Sequence, residues 1–163
     1  MRIRVGILSF ISGVIVTAAQ AQSVVLGLGY ADFSDDQGED TGQVSIEYHH
    51  TPFFQGERMS VAVAAAASAT GENDYFIGAG VVAHWPLRNN WFIEGSVMPG
   101  YYEAGSTANY LGSEFEIRTL LGVGRTLASG DSISLALTHR SNASTAAFNP
   151  GVNAVLLRYH FGF

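Results

Sequence analysis

The sequence predicts an all-β chain, an eight-stranded antiparallel transmembrane β-barrel, on three observations. Runs of about ten residues alternate apolar with small or polar side chains, each bounded by Gly, Asp, Asn or Ser clusters. No cysteine is present, so a secreted domain must be held by its own hydrogen bonds and packing, which a closed barrel provides because it leaves no strand edge unpaired. The chain ends on an aromatic, Phe163, with Phe161, Tyr159 and Leu157 in phase behind it.

Residues 1–21 read as a secretory signal peptide. Arg2 and Arg4 supply the positive start, Val5 to Ala18 the apolar stretch, and Ala19-Gln20-Ala21 a small-x-small cleavage site. The apolar stretch is short for a bilayer span and is interrupted by Ser9, Ser12 and Gly13. Cleavage before Gln22 leaves residues 22–163 as a single domain, the barrel.

Eight strands are expected, at residues 24–33, 43–51, 58–69, 75–85, 91–103, 113–126, 132–142 and 153–163. Successive side chains on a strand face opposite ways, so two faces can be followed. Val44, Ile46 and Tyr48 oppose Ser45, Glu47 and His49. Trp91, Ile93 and Val97 oppose Glu94 and Ser96, and Phe115, Ile117, Leu121 and Val123 oppose Glu114, Glu116 and Arg118. In the last run Val155, Leu157, Tyr159, Phe161 and Phe163 face out while Arg158 and His160 face in. The inner charges are expected to pair and fill a narrow lumen, making a plugged post rather than a pore. Residues 61–69 are Ala-rich with good helix propensity, but small residues also suit the inside of a narrow barrel. Trp85, Trp91, Tyr48 and Tyr30 are candidates for interfacial girdles.

Connections alternate in kind. Strands four to five and six to seven are joined tightly, through 88–90 and 128–131, whereas links one to two, three to four, five to six and seven to eight, such as the acidic 35–40, read as looser. Short turns on one rim and longer loops on the other place the turns in the periplasm and the barrel in the bacterial outer membrane. The seventh strand then runs outward, with His139 and Ser141 near its extracellular end.

All eight basic residues are Arg, and 14 residues are acidic. Without Arg2 and Arg4 the domain is still more negative, which argues against nucleic acid, whose phosphates need a basic footprint. No metal and no cofactor is expected. His49-His50, His84 and His160 lack the spacing and carboxylate company of a metal site. Gly27-x-Gly29 and Gly78-x-Gly80 are inner-wall positions rather than phosphate loops, since no βαβ unit surrounds them. The acidic first loop reads as a solvated loop.

The chemistry concentrates in the last thirty or so residues. His139 and Ser141 share the face of Ile133, Leu135 and Leu137, the apolar side. An imidazole and a hydroxyl facing hydrocarbon are costly unless paired or used. Two apart on one strand, they sit roughly 6.5–7 Å apart at Cα, close enough for side chains to lean together. His can take the Ser proton, which is what makes a hydroxyl a nucleophile, and a third group should orient the His. Asn153 opens the next strand in the outward phase, where pairing can set it beside His139. Asn142 can offer its side-chain amide or its backbone N–H to a developing oxyanion. Arg140 belongs to the inner phase.

His139-x-Ser141-Asn142-Ala143, the spacing to Asn149-Pro150-Gly151, and the aromatic C-terminus resemble the PagL-type lipid A 3-O-deacylase family of outer-membrane barrels. The likeness is specific over residues 132–163 and architectural before that. It implies an eight-stranded barrel whose outward Ser and His hydrolyse the ester-linked 3-O-acyl chain of lipid A, with a carboxylate orienting the His. Ser141 would be nucleophile, His139 base and Asn142 an oxyanion contributor. The carboxylate position, twelve after the Ser, holds Asn153. Either Asn153 serves in a weaker triad, or another acid stands in, or activity has been lost.

The expected partners are lipopolysaccharide in the outer leaflet and the outer membrane itself; pairing of the barrel with itself as a homodimer is left open. The main alternative is a non-catalytic barrel of structural or adhesin type with a degenerate site, and a third reading is a soluble periplasmic β-sandwich.

Overall fold

Eight long strands close into a barrel in the computed structural model, which describes residues 22–163. The expected signal peptide, residues 1–21, lies outside the described residues. In chain order the strands are β1 (Ser23–Phe33), β2 (Thr41–His49), the short β3 (Phe54–Gln55), β4 (Ser60–Thr70), β5 (Tyr75–Pro86), β6 (Trp91–Glu103), β7 (Phe115–Thr126), β8 (Ser132–Ser141) and β9 (Val152–Gly162). All pairings are antiparallel; β1 pairs with β9 and β2 with β4, closing the sheet, while β3 folds back on the start of β4. Every long strand is thus hydrogen-bonded on both sides, the condition for backbone to sit in hydrocarbon. Among the described residues no helix is long and apolar enough to cross a membrane.

The expected phase holds on each wall. Leu28, Ile46, Leu121, Leu135, Leu137 and Leu157 project outward and are exposed, whereas Glu47, Glu94, Arg118 and Arg158 are buried inside. Residues 61–69 are strand, not helix: Ala62, Ala64 and Ala66 face inward and pack with Val82 and Met98. Pairing on both sides overrides helix propensity there, and methyl side chains leave room for the charges opposite.

The lumen has two storeys. At the level of Glu47 the carboxylate is paired by Arg118 at 2.6 Å and Arg158 at 3.2 Å, and Arg158 also reaches Glu94 at 2.7 Å. Nearer the rim where β8 ends, Ala31, Phe33, Phe76, Tyr102, Leu111, Val152 and Ala154 form an apolar plug. Arg140, turned inward as expected, lies 4.6 Å from the Phe76 ring centre and 5.3 Å from that of Tyr102.

The rims differ from expectation in two places. The link 71–74 is a tight hairpin, because the buried Asp74 accepts from Thr70 Oγ1 at 2.6 Å, Gly105 N–H at 2.8 Å and Asn109 Nδ2 at 2.9 Å. On the opposite rim, residues 50–59 form a longer excursion because β3 doubles back on β4. Trp91 and Tyr48 are exposed near the turn rim and Tyr30, Tyr75 and Tyr101 near the loop rim, as two girdles require.

Candidate active site

Alternation along β8 carries Ile133, Leu135, Leu137 and His139 to the outer wall, all exposed, while Ser134, Ala136, Thr138 and Arg140 are buried. In register, His139 lies between Thr119 of β7 and Asn153 of β9. Asn153 Oδ1 and His139 Nδ1 are 2.9 Å apart. With the amide oxygen on that side, Nδ1 carries the proton and donates it, and Nε2 keeps its lone pair. The tautomer so fixed is the one a general base needs.

Ser141 ends β8 on the same outward phase and is half-buried. No hydrogen bond joins it to His139 among the described residues; strand phase alone brings the two together. Such contacts commonly tighten only when substrate is present.

Asn142 departs from expectation. Its side chain is fully buried, and Nδ2 donates to the carbonyls of Leu111 at 3.0 Å and Phe148 at 2.8 Å. Its backbone N–H donates to Asn149 Oδ1 at 3.0 Å. Both donors assigned to an oxyanion are therefore engaged in tying the 104–114 and 142–151 loops to the end of β8. The physical reason is that Asn142 falls on the inward phase of Ser134, Ala136, Thr138 and Arg140, so its side chain points over the apolar plug. A tight turn follows, with Thr145 N–H donating to Asn142 O at 3.1 Å and positive φ at Ala143 (53°) and Ser144 (62°). Two consecutive non-glycine residues in the left-handed region make a strained turn, directly beside Ser141.

Three further residues shape the site. Gly151 has φ of 74°, and a Cβ there would stand 3.0 Å from His139 Cε1, so this glycine leaves the imidazole its place. Asn149 holds the Asn142 backbone, as above. Asp32 and Tyr30 of β1 complete an open groove on the outer wall with Thr119, Leu121, Leu137, His139, Asn153 and Val155. Asn149 and Gly151 lie in a motif visible in the sequence; Asp32 is separated from the motif by most of the chain and only the closing β1–β9 register delivers it. The groove is apolar below and polar at its upper edge, which suits an ester with its acyl chain pointing into the membrane. No group of His, Cys, Asp or Glu able to hold a metal occurs among the described residues.

A family model described as lipid A 3-O-deacylase (PagL) matches residues 40–162. Among solved structures, one described as the outer membrane enzyme PagL superposes with a TM-score of 0.68 at 19% identity, covering 86% of this chain and 99% of that one. A de novo designed transmembrane β-barrel gives a TM-score of 0.59 at 9% identity, covering 88% of this chain and 96% of its own. Neisserial surface protein A also gives 0.59 at 9%, covering 87% of this chain and 97% of that one. At such identities these superpositions speak for the fold. No curated protein matches the chain in sequence.

Proposed function

This chain belongs to the lipid A 3-O-deacylase (PagL) family of bacterial outer-membrane barrels, and on that premise we propose that it is a serine esterase releasing the 3-O-linked acyl chain of lipid A. The observation that carries the reading is the 2.9 Å contact between His139 Nδ1 and Asn153 Oδ1 on the membrane-facing side of the wall. A hydrogen-bonded imidazole in that place has no structural task in the lumen, and its free Nε2 lies on the phase of Ser141.

The steps follow from the positions. His139 Nε2 takes the Ser141 proton as Oγ attacks the ester carbonyl carbon. The tetrahedral intermediate collapses, and the imidazolium returns the proton to the departing sugar 3-hydroxyl. Water then attacks the acyl-serine with His139 again as base, freeing the 3-hydroxy fatty acid. Asn153 Oδ1 accepts the hydrogen bond from Nδ1–H throughout, holding tautomer and ring orientation. With both Asn142 donors engaged, the next free N–H groups along the chain belong to Ala143 and Ser144, in the strained turn, and these are assigned to the oxyanion.

The loop rim faces outside the cell, so the groove stands at the outer leaflet, where lipid A lies. One barrel holds the whole constellation; a homodimer forms no part of the proposal. The test is fluorophosphonate labelling of the folded barrel in detergent. Labelling at Ser141 that disappears in His139→Ala supports an activated serine, and equal labelling of both proteins contradicts it.

A further inference from the structure

The residue at the acid position is an amide, yet a carboxylate stands one strand further on. In the barrel register Asp32 of β1 is directly opposite Asn153 of β9, and Asn153 is directly opposite His139 of β8. All three are exposed on the outer wall and line one groove. Asn153 gives its oxygen to the imidazole at 2.9 Å, so its Nδ2 hydrogens turn toward β1, where one reaches Ser34 Oγ at 3.5 Å. No hydrogen bond joins Asn153 to Asp32 among the described residues; the register sets the two side by side. Side chains directly opposite on paired strands interact across the gap.

We propose that Asp32 is a positioning residue for the deacylation, supplying through Asn153 the negative charge that the amide lacks. The inference rests on the esterase reading of this site. An aspartate on the outward face beside Tyr30 and Leu28 is costly unless it is partnered, and the amide of Asn153, opposite in register, is the donor assigned to it here. As His139 becomes an imidazolium, a carboxylate accepting from the Asn153 N–H polarises the amide, which strengthens the Oδ1 acceptor and favours the cation. Asp32 and His139 are roughly 10 Å apart, two strand spacings. Relayed through the amide rather than across that distance, the charge is expected to change the rate by about tenfold. It need not touch substrate.

The test is a double-mutant cycle read as kcat and KM for fatty-acid release by refolded barrels, with heat-modifiable gel migration confirming closure. Asp32→Asn is expected to lower kcat about tenfold with KM little changed, and Asp32→Glu to retain most of the rate. In an Asn153→Glu background, where a carboxylate meets the imidazole directly, Asp32→Asn should cost nothing. An unchanged kcat in Asp32→Asn overturns the inference, as does an equal loss in both backgrounds, which would mark a structural or substrate-holding role. Absence of release from the parent barrel overturns the esterase reading together with this inference; release indifferent to Asp32 overturns this inference alone.

Discussion

Asn153 on β9 and His139 on β8 face each other across one antiparallel pair and are joined side chain to side chain at 2.9 Å. The amide fixes the tautomer as a carboxylate would, without a full charge to stabilise the imidazolium. A direct consequence is that Asn153→Glu should raise kcat, by about tenfold for each 1.4 kcal/mol of added stabilisation. Asn153→Leu should lower it by a similar factor or more. Steady-state release of fatty acid from lipid A in detergent measures both.

Ser141→Ala should abolish turnover, by at least about a thousandfold, because Ser141 is the hydroxyl that β8 carries two residues from His139 on the same outward phase. The Ser141 hydroxyl makes no hydrogen bond among the described residues and its backbone pairing with Ile117 does not depend on the side chain, so heat-modifiable migration should be unchanged. Loss of folding along with activity would assign the serine a structural place instead.

Gly151→Val should damage the site while sparing the barrel. The backbone there has φ of 74°, and the new Cβ would press on the His139 ring. Strain of about 1–2 kcal/mol is expected from the backbone, together with a kcat loss of about tenfold or more as the ring is displaced. The urea midpoint and kcat, measured on one preparation, separate the two effects.

The ion pairs of the lumen predict the opposite pattern. Arg158 is fully buried between Glu47 and Glu94. Arg158→Ala leaves two buried carboxylates facing one remaining arginine and should cost about 3–5 kcal/mol of stability. At temperatures where the variant is still folded, kcat should stay near the parent value, because the site hangs on the other side of the wall.

Asn142→Ala should act through the loops. It removes the donor to the carbonyls of Leu111 and Phe148, costing about 1–3 kcal/mol. Proteolysis within 104–114 or 142–151 should become faster, and kcat should fall only in proportion to loop loosening. A kcat loss with protease resistance unchanged would return Asn142 to a direct role on the oxyanion.

How much of this was legible follows from what imposes each feature. Lipid outside and a narrow lumen inside force a period of two on every strand, so Glu47, Arg118 and Arg158 inward and Leu135, Leu137 and His139 outward could be read directly from the residues. The pairing of His139 with Asn153 was legible for the same reason, since a hairpin joins neighbouring strands. The engagement of Asn142 was not, because the carbonyls of Leu111 and Phe148 that hold its inward carboxamide come from two loops whose paths the alternation does not set. The tight 71–74 hairpin was hidden because its closure depends on Asp74 meeting Gly105 and Asn109 from another loop. Asp32 was hidden most deeply: its place beside Asn153 is set by the register in which β1 closes on β9.

Mass spectrometry of lipid A, from outer membranes carrying the intact barrel and from otherwise identical membranes carrying Ser141→Ala, is the most direct measurement of the central claim. A deacylating barrel gives lipid A lighter by one 3-O-linked hydroxyacyl chain with the intact protein and full-mass lipid A with the variant. Full-mass lipid A in both, with the barrel folded and present, would contradict it.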